Sequence, residues 1–438
     1  MFAEYVALAG IVAVSLTQIA PRRLRDWAAL AIGVATLASL LYLSVLERSL
    51  AGLVGLTVSL VGIASLVSAF GLLDVGKSVF TLLVLAACSS STILAYATDA
   101  VVVFIAWEIL SLSVLFTAGY TKSEDSASAV IKYLAACSAG SLLLLTGLAL
   151  AFAETGTTTL AGLAEASPLA KLLVLAGAGV EAALFPLGFW LPDVYAAAPE
   201  PGAAVISSAA TGVASILLYR MVLADALVGR VVAVLASLGV VVSVAHMYKE
   251  SDLRRVVAYS SMFSSNAMLL AFSSKNSLAV STALIYYLAH SLSKTSAFIL
   301  AGGLRRDFGH SSVQDLRGVA YGWGAMKLNL ALSLLGVLGV PPLVSFWGDF
   351  YIAVGLLESS PTLGVLFLLT LIALVPVILS VLFMLVSGTG EPRRDSSTPV
   401  YLAVSTALNV LAVALFPLYS WLQPYAVTVR GPSGVYEG

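Results

Sequence analysis

Residues 169–191 read LAKLLVLAGAGVEAALFPLGFWL. As a helix this run crosses the hydrocarbon of a bilayer, which takes roughly 20 residues. Glu181 lies near its middle, where a charged side chain costs roughly 2.5–3.5 kcal/mol on insertion scales. Pro186 follows within the same run; a proline there removes a backbone hydrogen bond and clashes with the preceding turn. Broken backbone at membrane depth is tolerated only against protein or a wet cavity. The run is therefore expected to be an interior helix of a larger membrane bundle, broken near Pro186.

The rest of the chain fits that expectation. Of its 438 residues, 60% are hydrophobic and 10% charged, against roughly 45–50% and 25% in a soluble domain. Since a single core stops growing at about 250–300 residues, the excess of apolar surface needs lipid as its solvent. Apolar runs long enough to span lie near 2–20, 27–46, 51–73, 78–98, 99–119 and 128–153, then 169–191, 201–223, 228–248, 255–273, 277–303, 325–357, 361–388 and 398–422. The spacing predicts an all-α, polytopic membrane protein of about 14 transmembrane helices with no room for a soluble domain. The fourth and fifth runs are divided at Asp99, the seventh and eighth at Pro192 and Pro199.

Charge and cysteine usage exclude other classes. With 22 basic and 23 acidic residues the net charge is −1, which leaves no nucleic-acid footprint. Cys88 and Cys137, each in an apolar run, form neither a disulfide framework nor an Fe–S or zinc site. The start MFAEYVALAG carries Glu4 where a signal peptide carries a base, so the first run is read as a retained helix. Alternating along the runs, Lys and Arg fall unequally. Arg22, Arg23, Arg25, Lys77, Lys122, Lys132, Lys249, Arg254, Arg255, Arg305, Arg306, Arg317, Lys327, Arg393 and Arg394 are on the richer side, and Arg48, Lys171, Arg220, Arg230, Lys275 and Arg430 on the poorer. The richer side is cytoplasmic by the positive-inside rule, which puts both termini outside.

Function is sought where charge sits at depth. Glu108, Glu181, His290, Lys294 and Asp349 qualify, whereas Lys132 and His246 lie nearer helix ends, where snorkelling is the simpler account. Four residues apart, His290 and Lys294 share a helix face and suit a proton relay, with Tyr287, Ser291 and Ser293 as nearby hydroxyls. Pro341 and Pro342 interrupt the twelfth run ahead of Asp349, as Pro186 interrupts the seventh after Glu181. Two Pro-interrupted segments in corresponding places are the pattern of inverted repeats with an ion path at each break. The repeats are expected over 77–225 and 226–390, after three N-terminal helices in 1–76 and before a last helix and tail in 391–438. Walker, zincin, dinucleotide, flavin and haem signatures are missing, so no cofactor is expected on this chain.

FPLGFWLPDVYAAAPEP, DLRRVVAYSSMF, AHSLSKTSAFILAGGL and GVPPLVSFWGDF, in that order, resemble the antiporter-like membrane subunits of respiratory complex I, membrane-bound hydrogenases and Mrp antiporters. The first wording is most similar to the D-type Mrp subunit and its hydrogenase relatives. The resemblance covers roughly residues 50–390. It implies 14 helices, two inverted five-helix repeats with the seventh and twelfth helices broken, and a place among other membrane subunits of a prokaryotic plasma-membrane complex, further antiporter-like subunits included. The ion it implies is the proton, with sodium as the alternative. Glu108 then matches the family's fifth-helix glutamate, Lys132 the lysine opening the sixth helix, His290 and Lys294 the eleventh-helix pair, and Asp349 the ionisable position of the broken twelfth helix. Departures are equally specific: Glu181 stands where the family has a seventh-helix lysine, Gly212 after Thr211 where it has an eighth-helix lysine, and Gly188 where a histidine is common.

An ion-translocating subunit of a redox-driven pump is the leading expectation. A sealing, non-conducting subunit of the same complex and a stand-alone solute transporter are the alternatives. In the first of these readings Glu108 and Glu181 form an acidic pair that shares one proton or holds a cation.

Overall fold

The computed structural model describes residues 2–223, 225–388 and 399–417. Arg393, Arg394, Arg430 and the end of the expected last helix lie outside the described residues. The chain begins with α1 (Phe2–Thr17), α2 (Arg22–Leu46), α3 (Leu50–Leu72), α4 (Lys77–Tyr96), α5 (Ala100–Ala118) and α6 (Glu124–Thr155). Next come α7 (Leu160–Glu165), α8 (Pro168–Glu181), α9 (Leu191–Ala197), α10 (Glu200–Val205), α11 (Val213–Met221) and α12 (Ala226–Met247). The last six are α13 (Leu253–Ser273), α14 (Ser277–Phe308), α15 (Gly324–Leu338), α16 (Ser345–Ser359), α17 (Pro361–Val386) and α18 (Val400–Ala414). A π-helical segment, Ile206–Gly212, joins α10 to α11.

Helix starts are set locally. Ser49, Asp99, Ser123, Thr159, Ser167, Asp225, Asp252 and Asn276 each accept a bond from a first-turn N–H, which is what short polar side chains do ahead of a helix. The run from 169 is α-helical only to Glu181 and resumes as a 3-10 turn at Leu187–Trp190, and the run from 325 is split into α15 and α16 around Pro341 and Pro342. Pro192, expected to divide two runs, instead sits in the first turn of α9, and the division falls at Ala198–Pro199. Pro376 lies inside α17 without ending it.

Nine helices among the described residues are long and apolar enough to cross a membrane, with shorter apolar helices besides. At the centre stands α14, buried on every side from Thr282 to Leu304 and packed on α3, α10, α13, α15, α16 and α18. A helix enclosed by protein can hold polar side chains that lipid would reject. Outer helices expose apolar residues such as Tyr5, Val12, Leu142, Val234 and Ile372, as lipid or neighbouring chains require.

Two stretches are built alike. Ala100 N–H bonds to Thr158 O at 2.7 Å and Leu160 N–H to Thr98 O at 2.9 Å; Leu253 N–H bonds to Ser311 O at 2.9 Å and Val313 N–H to Ser251 O at 2.7 Å. Asp99 takes the Thr158 hydroxyl, and Asp252 the Ser311 hydroxyl. Both α6 and α14 have 32 residues. Each position of the second set lies 153 residues beyond its mate in the first (100 to 253, 158 to 311). The two constructions stand at opposite ends of the bundle. Helix α6 starts beside Ala197, whose neighbour Ala196 is bonded by Arg254, and finishes near Asp99 and Thr158.

Ion pairs fasten the Asp252 end. Glu200, 2% exposed, accepts from Arg305 Nε at 2.5 Å and Nη2 at 3.0 Å and lies 4.0 Å from Arg254 Nη1. Asp193 takes Lys132 and Arg255, each at 2.6 Å. Burial pushes the Asp193 carboxyl up, but the bonds and charges of those two bases reverse this and hold it below its ordinary value. Removing one partner of a buried pair leaves the other uncompensated. With Arg305 partly exposed, Glu200→Ala should cost about 2–3 kcal/mol, and Glu200→Gln less. Thermal unfolding of the detergent-solubilised protein measures this, and equal midpoints for all three proteins would show that the clasp adds no stability.

Candidate functional site

The first cluster lies where α14 meets α13 and the break between α15 and α16. His290, Lys294 and Asp349 are 3%, 4% and 5% exposed. Lys294 donates to the Ser264 hydroxyl of α13. His290 Nε2 is 3.9 Å from Asp349 Oδ2, and the Tyr286 ring lies 4.0 Å from the His290 ring. Asp349 rests against Gly339, which ends α15 with φ of +71°. A side chain there would collide with the carboxylate, so the left-handed turn and the close approach both call for glycine. Among the described residues both His290 ring nitrogens, Asp349 Oδ1 and the Ser345 hydroxyl are buried without a hydrogen-bond partner, and the Tyr286 side chain faces the Asp349 carboxyl. Such atoms are rare in folded proteins, and their gathering at one place makes this cluster the first candidate site.

A small cavity beside this cluster reaches the π-helical segment. It is lined by His290, Lys294, Ser264 and Ser291 on one side and by Ser207, Thr211 and Gly212 of the π-helical segment on the other. Hydroxyls continue across it: Ser207 to Ser261 at 2.9 Å, Ser215 to Ser265 at 2.7 Å, and Tyr195 to Thr211 at 2.9 Å. Tyr287 and Ser291 line the cavity, whereas Ser293 packs against Gly336 of α15.

The second cluster surrounds Glu181, the last residue of α8 and 1% exposed. Tyr133 Oη donates to Oε1 at 2.9 Å and Oε2 at 3.1 Å, and Cys137 Sγ lies 3.2 Å from Oε2. Tyr133 packs edge-on to Trp190, whose Nε1 bonds to Val180 O at 2.9 Å. Glu108 is within electrostatic reach of Glu181 and presents a buried Oε1 without a partner among the described residues. The turn after Glu181 is held from α13: Ser265 bonds to Ala182 O, and Asn266 donates to Ala183 O at 3.0 Å and accepts from Phe185 N at 3.3 Å.

Lys132 does not join these clusters. Its side chain is 49% exposed and engaged with Asp193. His246 is exposed and stacked on Tyr259. Sequence reasoning missed Tyr133, Cys137, Ser264, Asn266 and Glu200. The signal for the α13 residues was the polar string SSMFSSN within an otherwise apolar run, and Glu200 stands in the APEP of the first motif. Nothing local distinguishes Tyr133, because its partner is 48 residues away. Among the described residues no group of three or more His, Cys, Asp and Glu is placed to hold a metal.

Spanning helices packed around ionisable side chains at two helix breaks define a polytopic membrane protein of the antiporter-like class. Residues 97–375 match the family described as NADH:quinone oxidoreductase/Mrp antiporter, TM, and the chain belongs to that family. Among curated relatives, NADH-quinone oxidoreductase subunit 14 of Thermus thermophilus is 30% identical over 358 residues, which cover 79% of this chain and 80% of that one. By structure the chain is similar to one in the Mrp complex from Dietzia sp. (TM-score 0.88, 18% identity, 98% and 97% of the two chains covered). It is equally similar to one in the archaeal membrane-bound sulfane sulfur reductase (TM-score 0.89, 20% identity, 99% and 98% covered).

Gly212, where the resemblance implies a lysine, has its side-chain space filled by the Tyr287 ring, whose hydroxyl bonds to Ser208 O at 3.0 Å. Gly212→Lys should therefore destabilise the protein by about 1–3 kcal/mol through overpacking. Gly212→Lys combined with Tyr287→Ala should recover most of that loss. Unfolding midpoints decide it, and a stable single variant would show that the ring yields.

Proposed function

We propose that this chain is an ion-translocating membrane subunit of a multi-subunit complex. In this reading it passes protons between buried side chains while other subunits carry the driving reaction. One observation carries the proposal. Lys294 sits midway along a helix buried on every side, and among the described residues no carboxylate lies within ion-pair distance of it. Asp349 is near enough to feel its charge. An intramembrane base so placed is costly to keep and can exchange a proton as its surroundings change.

Two halves related by inversion are supported by the pair of matching constructions 153 residues apart at opposite ends, each beginning a helix of 19 or 21 residues followed by a 32-residue one. This favours repeats over 77–225 and 226–390, and with them about 14 spans. His290 and Lys294 then act as the relay of the second half, with Asp349 as its exit or gating acid. The solved relatives are chains of multi-subunit complexes, and the exposed apolar flanks of this chain suit lipid together with neighbouring membrane subunits. A prokaryotic plasma membrane is the setting those relatives favour.

In the reconstituted complex, Lys294→Ala should lower turnover-linked ion transfer at least about tenfold, equivalent to roughly 1.4 kcal/mol on the barrier, with assembly intact. Unchanged transfer in that variant, and in Lys294→Ala with Glu108→Gln, would leave a sealing role as the better account.

The basic excess at the Asp252 end favours a cytoplasmic placing of that end, with both termini outside. His310→Cys should accept a membrane-impermeant label only from the cytoplasmic side and Arg48→Cys only from outside; both sites are exposed, and the natural Cys88 and Cys137 are buried. The reverse labelling pattern would invert the whole topology.

A further inference from the structure

The offset of 153 residues that superposes the two end constructions also aligns their long helices, and this gives meaning to a cluster the family resemblance does not foresee. On α6, Tyr133 and Cys137 contact Glu181. Advanced by 153, those positions become Tyr286 and His290 of α14: His290 lies 3.9 Å from Asp349, and the Tyr286 side chain faces the same carboxyl. In both halves a tyrosine and the residue four further on share one face of the 32-residue helix and enclose one carboxylate beside a proline break. One acid precedes its break and the other follows it.

We infer that Glu181, held by Tyr133 and Cys137, is the proton-holding site of the first half, the inverted counterpart of Asp349 with Tyr286 and His290, and that it takes a proton and not a sodium ion. The inference deepens the translocation reading without needing it, because it concerns the resting protein. Its chemistry follows from the donors. Hard cations gather about six oxygens, often several of them carboxylate or carbonyl, and sulfur is a poor ligand for them. Glu181 offers two oxygens, and its two bonded neighbours are a hydroxyl and a thiol that spend their hydrogens on those oxygens. One proton added at Oε1 or Oε2 changes no other covalent bond. The new O–H finds an acceptor in the Tyr133 oxygen or the Cys137 sulfur, either of which can turn its own hydrogen away.

Cys137 in place of a histidine also sets the halves apart. Imidazole takes a proton on one nitrogen and releases another, whereas a thiol, though its sulfur can weakly accept a hydrogen bond, does not take up a second proton. The first half therefore holds its proton without the relay partner that the second half has in His290. The titratable groups facing Glu181 are Tyr133 and Cys137 from α6, Glu108 from α5 and Tyr195 from α9.

The chain's two cysteines make the test direct, because the S–H stretch falls where other protein groups do not absorb. Cys88 is bonded to Val58 O at 3.3 Å, away from Glu181, and serves as the internal reference. Infrared spectra of the assembled complex should show one S–H band moving to higher wavenumber as pH falls and Glu181 becomes a weaker acceptor, while the Cys88 band stays. Cys137→Ala should delete the moving band and Cys88→Ala the fixed one. Glu181→Gln should abolish the pH dependence. If that variant fails to assemble, Tyr133→Phe should keep the moving band and shift its midpoint. Sodium chloride exchanged for choline chloride at fixed pH should leave both bands in place. A Cys137 band indifferent to pH, or one that follows sodium at fixed pH, would overturn the assignment. Both outcomes are read without turnover, so a failure here is distinct from a failure of the translocation reading.

Discussion

Backbone groups released inside a bilayer have no water to bond with, and that constraint organises this molecule. At the break after Glu181, the carbonyls of Ala182 and Ala183 and the N–H of Phe185 are taken by Ser265 and Asn266 of α13. Past Pro342, Val344 N–H finds Ala412 O of α18 at 3.3 Å. Each break is thus completed by a helix remote in sequence, and the ionisable residues sit where that completion holds the chain. Asn266 is itself wedged against Gly239 of α12, where a methyl group would collide with its amide. A buried amide with its donors and acceptor matched is specific in a way that an apolar contact is not.

The same logic explains why the charged residues divide into two kinds. At the Asp252 end Glu200, Asp193 and Asp252 are all matched by arginine or lysine, and their role is to clamp α9, α10, α13 and α14 together. Arg220, at the other end, closes α4 by donating to the carbonyls of Leu94, Ala95 and Ala97. In the middle, matching is incomplete: His290, Asp349 and Glu108 keep buried atoms unpaired. A fully satisfied network would be stable and inert; an incomplete one costs stability and leaves groups free to change partners.

Hydroxyls hold the space between the two clusters. The π-helical segment displaces the usual ladder, and its carbonyls at Ser208 and Ala209 accept from Tyr287 and Ser91. With Tyr287 filling the space above Gly212, the small cavity there is lined by the hydroxyls of Ser207, Thr211, Ser261, Ser264, Ser265 and Ser291 together with His290 and Lys294. Neutral hydroxyls avoid the desolvation cost of another buried ion and still offer both a donor and an acceptor.

Hydrophobic run length, which depends only on the thickness of hydrocarbon to be crossed, made the membrane class legible from residues alone, as did the depth of Glu108, Glu181, His290, Lys294 and Asp349. The positions of both breaks followed from Pro186 and from Pro341 with Pro342, since proline lacks the N–H a helix interior needs. Partners were another matter. That Lys132 turns outward to Asp193, that Glu181 meets Tyr133 and Cys137, and that Asn266 steadies the turn beyond it all depend on helix rotation and crossing. Periodicity along one chain does not fix these, because in an all-apolar helix every face is equally fit for burial. Only the packing of the whole bundle decided which face of α6 looks at α8, and so which side chains meet the acid at its end.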